Sequence, residues 1–588
     1  MTVEKLIVDH IDTWTTALQT RSTAGRGSSG KIDLYGIKKL RELILELAVR
    51  GKLVPQDPND EPASELLKRI AAEKAELVKQ GKIKKPKPLP EISEEEKPFE
   101  LPEGWEWVRL NDVAEYIQRG KGPKYSEYGH VKVVSQKCVQ WNGFKLEQSR
   151  WITDESVAAY TEERFLKDGD VLWNSTGAGG TAGRVIYLPA VTEKLVVDSH
   201  VTLIRTIKQN GQFICNYIST YGIQQRFDPK HPNTLLSGTT NQAELNASVV
   251  TSFITPFPPQ KEQERINSKV AELMCLCDQL EQHSLTSLDA HQQLVETLLT
   301  TLTNSQNADE LAENWARISE HFDTLFTTEA SIDALKQTIL QLAVMGKLVP
   351  QDPNDEPASE LLKRIAQEKA QLVKDGKIKK HSPVEPLGTP SSIPESWLNI
   401  VVQDFADIRL GSTPDRSEKK YWNGDIPWVS SGEVANNVIL DTNEKITTDG
   451  FNNSSTTIIP AGSLLMAIIG QGKTRGQTAI LGIDACTNQN VAAFVFNKNL
   501  VNPEYVWIWA KSKYQSHRED GHGGAQPALN GKKVRSFIFP LPPVKEQQRI
   551  VNVINKFNNI LNDLKFRIQS AQQTQLHLAD ALTDAAIN

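Results

Sequence analysis

GKLVPQDPNDEPASELLKRIA fills residues 51–71 and recurs, letter for letter, at residues 346–366. Extended to Ile44–Lys85 against Ile339–Lys380, 37 of 42 positions are identical at a constant offset of 295. In a chain of 588 residues that period is about half the length, too long for a solenoid. It implies two similar halves, each large enough to hold a core. The block has its own local structure. Leu34–Arg50 reads as an amphipathic helix with Ile37, Leu40, Leu43, Ile44 and Leu47 on one face. Gly51 stands where a helix stops, and VPQDPND is a turn. Asp60–Pro62 then opens a second helix through Leu66, Leu67, Ile70 and Leu77, with Asp and Asn suited to the N-cap and Pro to the first turn.

Residues 1–20 read as helical, and TAGRGSSGK (Thr23–Lys31) as a flexible break. After each copy of the block a Pro-rich, charged stretch follows. It is KKPKPLPEISEEEKPFELPEGW in the first half and KKHSPVEPLGTPSSIPESW in the second. The pattern then changes to short β-like runs separated by glycine turns. In the first half they are VKVVS, DVLWNS, GRVIYLP and LVVDSHVTLIRTI, and in the second DIPWVS, GSLLMAII, TAILGI and NVAAFVF. Each globule ends on a related phrase that launches a long helix, PPQKEQERI (Pro258–Ile266) and PPVKEQQRI (Pro542–Ile550).

Apolar positions in the first of these helices fall at Ile266, Val270, Leu273, Cys277, Leu280, Leu294, Leu298 and Leu302, with Ser284, Ser287 and His291 interrupting. In the second they fall at Ile550, Ile554, Phe557, Leu561, Leu564, Ile568, Ala571, Gln575, Leu578 and Leu582. Steps of four and three make a heptad seam. At about 1.5 Å per residue the first helix would be about 67 Å long. Five segments follow: a helical scaffold and linker at 1–100, a globule at 101–257, a helical spacer and linker at 258–392, a second globule at 393–541 and a terminal spacer helix at 542–588. If the central spacer packs on the second repeat block, the terminal helix should pack on the first. The expected fold class is mixed α/β, with two globules separated by antiparallel long-helix spacers in a circular, pseudo-two-fold arrangement.

Hydrophobic content of 39% and charged content of 23% are ordinary for a globular protein. The net charge of -6 gives no polyanion signal. No run of 18 apolar residues offers a membrane span, and the N-terminus lacks a signal-peptide core, so a cytoplasmic setting is expected. Five cysteines without a C-x-x-C pair fit free thiols in a reducing compartment. No H-E-x-x-H, G-x-S-x-G or metal-ligand cluster occurs. AIIGQGKT (Ala467–Thr474) nearly matches a phosphate-binding loop, but lacks its first glycine and leads into strand-like RGQTAILGI. NPEY (Asn502–Tyr505) reads as a helix start with Pro503 in the first turn.

Duplicated globules on a spacer, without catalytic groups, suit the reading of a split site on a linear polymer. Each globule is charge-balanced, 16 basic against 16 acidic residues over 101–257 and 14 against 14 over 393–541. Phosphate contacts must therefore come from clustering. Clusters occur at Arg119, Lys121, Lys124 and Tyr125, and at Arg409, Arg416, Lys419, Lys420 and Tyr421.

The doubled P-P-x-x-E-Q-x-R-I phrase, with Trp105 and Trp397 opening the globules, resembles the specificity subunit of type I restriction–modification enzymes. The copy of the repeat ahead of the first globule resembles the subgroup called IB. The resemblance implies two target recognition domains, each reading half of an asymmetric bipartite sequence in double-stranded DNA. It implies helical spacers that set the gap and dock two methyltransferase subunits, which supply S-adenosylmethionine binding and adenine N6 methylation. Two motor-nuclease subunits would add ATP- and Mg2+-dependent translocation and cleavage. The chain itself would be non-catalytic and hold no cofactor or metal. Base-reading candidates are Lys121, Lys124, Tyr125, Asn174, Ser175 and Arg184 in the first globule, and Ser412, Thr413, Arg416, Gln471, Lys473 and Arg475 in the second. Leu66, Leu67, Leu361 and Leu362 in the repeated block are candidates for partner docking. The competing expectations are a protein–protein scaffold, supported by the neutral globules, and a nucleotide-dependent enzyme built on GQGKT.

Overall fold

The structure is a computed structural model that describes residues 3–21, 31–177, 180–238, 243–470, 474–519 and 529–587. Residues 23–30 of the expected break lie outside them. The described residues of 1–19, 33–285 and 572–588 form one compact unit, and those of 20–32 and 286–571 belong to the other. Neither unit coincides with a sequence half, because each is completed by the tail of the other half's long helix. In the first unit Tyr35 donates to Asp580 at 2.7 Å, and the Lys52 ammonium donates to the Ile587 carbonyl at 2.7 Å. In the second, Lys347 donates to the Thr303 carbonyl at 3.0 Å, and Val295, Leu299 and Leu302 join a core with Ile332, Leu335 and Ile339. Lys52 and Lys347 are the same residue of the repeated block. The packing expected from the order of segments is therefore present, the terminal helix meeting the first copy of the block and the central helix the second.

The two globules share one topology. In the first, an antiparallel sheet runs Val185–Tyr187, Val171–Asn174, Val201–Thr206, Ala114–Arg119. In the second, the order is Thr478–Leu481, Leu464–Ala467, Val491–Val495, Asp407–Leu410, with Val438–Ile439 added in parallel at the near edge. A three-stranded sheet accompanies each: Leu195–Val197, Lys132–Val134 and Arg150–Trp151 in one, Cys486–Thr487, Trp422–Val429 and Glu444–Ile446 in the other. A third pairing joins the first strand of each globule to its last, Glu106–Arg109 to Ile254–Phe257 and Leu398–Val401 to Ile538–Leu541. All four residues of Val171–Asn174 and of Leu464–Ala467 are buried, as for strands covered on both faces.

The repeated block, the opening tryptophan and the P-P-x-x-E-Q-x-R-I phrase converge on one node in each unit. The Trp105 indole N–H donates to Glu262 at 3.0 Å, and the Trp397 indole to Glu546 at 3.0 Å. Arg265 pairs with Asp60 at 2.6 Å and Arg549 with Asp355 at 2.7 Å. Gln351 donates to the other oxygen of Glu546 at 2.6 Å. The glutamine side chain of each phrase donates back to the carbonyl of its first proline, at 2.9 and 3.0 Å. Gly51 and Gly346 adopt φ of 66° and 70°, a region that L side chains disfavour. A Cβ on either would lie 2.5 Å from Pro102 or Pro394. VPQDPND is thus a clamp over the start of each long helix, tying scaffold to globule.

Two expectations are corrected. Asp60 does not cap the helix after the turn. That helix is Ala63–Lys79 with Pro62 at the N-cap, because the Asp60 carboxylate is taken by Arg265. The long helices, Gln260–Asn304 and Val544–Ile587, do not keep a strict heptad seam. Leu294 is 51% exposed and Leu578 41%, while their neighbours Val295 and Ala579 are buried. From Ile266, 28 residues at about 100° each fall about 80° short of whole turns, whereas 29 overshoot by about 20°. The buried face therefore follows the 3.6-residue period of the helix itself, identically in both copies.

His517 in the second unit is buried, stacked on Phe537 with ring centroids 4.0 Å apart. Burial, helped by Lys513, pushes its pKa down to about 3. Between the unfolded value near 6.5 and that value the unfolded chain binds a proton that the folded unit refuses, so stability falls as pH falls, by about 1.4 kcal/mol per pH unit. His517→Phe should flatten this acid-side loss, by about 2 kcal/mol at pH 5, in denaturant titrations run from pH 7 to pH 5.

Candidate nucleic-acid interface

Three segments meet at the same place in each globule. The first begins at a glycine that ends the edge strand of the main sheet, Gly120 or Gly411. A Cβ there would lie 1.9 Å from the Val197 carbonyl oxygen or 1.9 Å from that of Thr487, so only glycine lets the chain pass. Proline follows three residues on in both, at Pro123 and Pro414. The second segment is a hairpin, closed at its base by Asn174 N–H to Arg184 and Gly183 N–H to Asn174, at 2.8 and 2.9 Å. In the other globule the pairs are Ala467 to Gln477 and Gly476 to Ala467, at 2.9 and 2.8 Å. The third is an Asx turn, in which Asp198 accepts from the His200 N–H at 2.8 Å and Asn488 from that of Asn490 at 3.0 Å. The turn carbonyls of His200 and Asn490 accept from the hairpin at Ser175 and Ile468, both at 2.9 Å. The hairpin then accepts from Leu245 and Leu529, at 2.7 and 2.9 Å.

The framework is common; the side chains on it differ. In the first globule Lys121 and Lys124 are exposed, Lys124 pairing with Glu155 at 3.1 Å. Tyr125 is exposed and lies under the Arg150 guanidinium, 3.9 Å from the ring centroid. Arg184 leaves the hairpin base and donates to the Gly180 carbonyl at 3.1 Å and to the Gln140 side chain. In the second globule Ser412 gives its carbonyl to the Trp428 indole at 3.0 Å, and Thr413 donates to the Gln489 side chain. Arg416 is exposed and paired with Glu444 through both terminal nitrogens, with Trp422 4.1 Å from its guanidinium. Arg475 is half-buried in the hairpin. Gln471 and Lys473 lie outside the described residues.

Asn174 and Ser175 are corrections, because both side chains are fully buried. Asn174 donates to the carbonyls of Gln136, Val139 and Thr181, and Ser175 hydrogen-bonds Thr202, so they brace the hairpin from within. Leu66 and Leu361 are corrections too: both are buried in this chain's own packing, while Leu67 and Leu362 are half-buried. The exposed face of that helix carries identical ion pairs in both copies, Lys68–Glu65 and Lys363–Glu360 at 2.6 and 2.7 Å, and Arg69–Glu61 with Arg364–Glu356. Sequence reasoning missed His200, whose ring nitrogen meets Thr176 at 2.6 Å, together with Gln489, Arg150, Glu444 and Tyr128, the last 82% exposed. The signal for the turns was present: D-S-H and N-Q-N follow equivalent strands.

A strand, Thr478–Leu481, follows GQGKT where a phosphate-binding loop would feed a helix. Asn502 caps the helix Pro503–Ser512, accepting from Glu504 and Tyr505. Among the described residues no group of three or more His, Cys, Asp or Glu could hold a metal ion, and no helix is long and apolar enough to cross a membrane.

Residues 102–290 and 394–571 match the family described as the type I restriction modification DNA specificity domain. Over its full length the chain is 48% identical to the EcoAI specificity subunit of a type I restriction enzyme from Escherichia coli. It is 46% identical to the EcoEI specificity subunit from the same species. Each alignment covers 100% of both chains. A solved chain from a study of complex assembly and conformational transition in a type I R-M system aligns with a TM-score of 0.50 at 15% identity. That alignment covers 84% of this chain and 99% of the other. The chain belongs to the type I restriction–modification specificity subunits. It is the DNA sequence-recognition subunit of such a system, not a catalytic one.

Proposed function

We propose that this subunit reads an asymmetric, bipartite site in double-stranded DNA, each globule reading one half. The observation that carries this is the repeated framework with different contents. Both globules present a glycine-tied loop, a hairpin and an Asx turn at one place, yet the exposed side chains on them differ. Identical halves would read a palindrome; these should read two unlike sequences. The recognition domains are taken as 101–257 and 393–541. The reading set is Lys121, Lys124, Tyr125 and Arg184 in the first, and Ser412, Thr413, Arg416, Gln471, Lys473 and Arg475 in the second. Two methyltransferase subunits dock on the repeated scaffold and two motor-nuclease subunits complete the complex. S-adenosylmethionine, ATP and Mg2+ serve those partners in the cytoplasm.

Docking is assigned to the exposed face that carries Glu61, Glu65, Lys68 and Arg69, with Glu356, Glu360, Lys363 and Arg364 as its copy. The clamp accounts for the presence of Asp60 and Asp355 in both copies of the block. It does not account for identical exposed charges, which two identical partners would require. The test is assembly with the methyltransferase partner followed by gel shift on cognate DNA. Lys68→Glu with Arg69→Glu should reduce methyltransferase stoichiometry from two to one without unfolding. Arg475→Ala should weaken cognate binding severalfold while leaving assembly intact. Unchanged stoichiometry would remove the docking face, and unchanged affinity would remove Arg475.

A further inference from the structure

The loop after Gly411 carries one side chain held more firmly than its exposure requires. The Arg416 side chain is 54% exposed, a position where a long side chain ordinarily samples many rotamers. Here its guanidinium lies over Trp422 at 4.1 Å and within 5.2 Å of Trp428. Both indoles are themselves anchored to the same loop, Trp422 donating to the Asp415 carbonyl at 3.1 Å and Trp428 to that of Ser412 at 3.0 Å. Glu444, on the adjacent strand Glu444–Ile446, accepts from both terminal nitrogens, one at 2.9 Å. The aromatic face fixes the plane of the guanidinium and the carboxylate fixes its rotation within that plane. Two accepted bonds leave three of the five N–H donors of the group, in a fork of fixed direction.

The equivalent place in the first globule is pinned by the same kind of contact with the polarity reversed. Tyr125, five residues after Gly120, stands where Arg416 stands five residues after Gly411, and the cation over it is Arg150 from the neighbouring strand. Both loops are therefore fastened to the three-stranded sheet beside them. Only the second loop offers a guanidinium from its own tip.

We propose that Arg416 reads a guanine in the half-site of the second globule, and that Glu444 and Trp422 are positioning residues that set its fork. The proposal rests on the reading of each globule as a half-site reader. A guanine presents O6 and N7 as paired acceptors in the major groove, and a planar fork matches them where a point charge does not. Pre-ordering the side chain removes the conformational cost that a free surface arginine meets on binding. Lysine at 416 would keep the charge, and with it any phosphate contact, but lose the fork.

The experiment uses the assembled methyltransferase complex and a panel of duplexes in which each position of both half-sites is varied in turn. For Arg416→Lys, preference for G should fall roughly ten- to a hundredfold at one position of one half-site, with the other half-site unchanged. Glu444→Gln keeps the size of the side chain and removes its charge. It should relax the same position by a smaller factor, whereas a merely structural Glu444 would alter no single position. The proposal is overturned if Arg416→Lys leaves every preference as it was, or if Arg416→Ala weakens all duplexes equally, the mark of a phosphate contact. A wild-type complex with no bipartite preference at all would instead sink the underlying reading.

Discussion

Replacing Trp397 with alanine is expected to destabilise the second unit by about 3–5 kcal/mol, the usual cost of emptying a large buried aromatic site. Trp397 is 3% exposed and packs edge-on to Tyr505 with ring centroids 6.3 Å apart. Its indole is also one of the two donors to Glu546, a carboxyl whose pKa burial already pushes up. Alanine would leave that carboxyl short of a donor in a dry site, adding to the cavity cost. At about 1.5–2 °C per kcal/mol for a unit of this size, the melting transition of the second unit should fall by about 5–10 °C. Trp397→Phe keeps most of the ring and loses only the donor, and should cost about 1–3 kcal/mol. Calorimetry of the isolated chain reads both effects. A shift below about 2 °C for alanine would mean that the node does not hold the unit together.

Gly411→Ala should abolish recognition of one half-site and spare the fold. The added Cβ would sit 1.9 Å from the Thr487 carbonyl oxygen and 2.3 Å from its hydroxyl, far inside contact distance. Thr487 is a fully buried strand residue and does not yield. The loop must lift instead, carrying Thr413 away from Gln489 and Arg416 from Glu444. Gly411 lies outside the apolar core, so melting should change little. Site-specific affinity should drop about a hundredfold or more, as for loss of two good base contacts at about 1–3 kcal/mol each. Footprinting of the assembled complex should show protection lost over one half-site and retained over the other, and Gly120→Ala should show the converse. Loss over both halves from either change would refute independent reading.

Much of this was legible in the sequence because it was carried by repetition. The duplicated block, the doubled P-P-x-x-E-Q-x-R-I phrase and the matched strand runs define two like units, and their order predicts which helix end completes which unit. What escaped depends on partners far apart in the chain. Asp60 has the residue type of an N-cap, but its oxygen is claimed by Arg265, 205 residues away. Asn174 and Ser175 are polar residues at a strand end, where type alone suggests solvent, and the strand is covered on both faces. Leu294 and Leu578 follow a heptad count that the helix does not obey beyond about three heptads, since the two periods drift apart by about 20° each time. Leu66 has the exposure of a docking residue only if its helix lies on the surface all round, and it does not. Arg416 was visible as a cation on a loop. Its carboxylate and indole supports were not, because no local pattern links residue 416 to residues 422, 428 and 444.

The central proposal is that one chain reads two unlike half-sites, one with each globule. Base-resolution mapping of methylated adenines in cells with this subunit and its methyltransferase, compared with cells lacking only this subunit, tests it most directly. The account predicts a single asymmetric motif, two short specified segments separated by an unspecified gap of constant length, present with the subunit and absent without it. A motif that survives its deletion, or one that is contiguous or palindromic, would contradict the account.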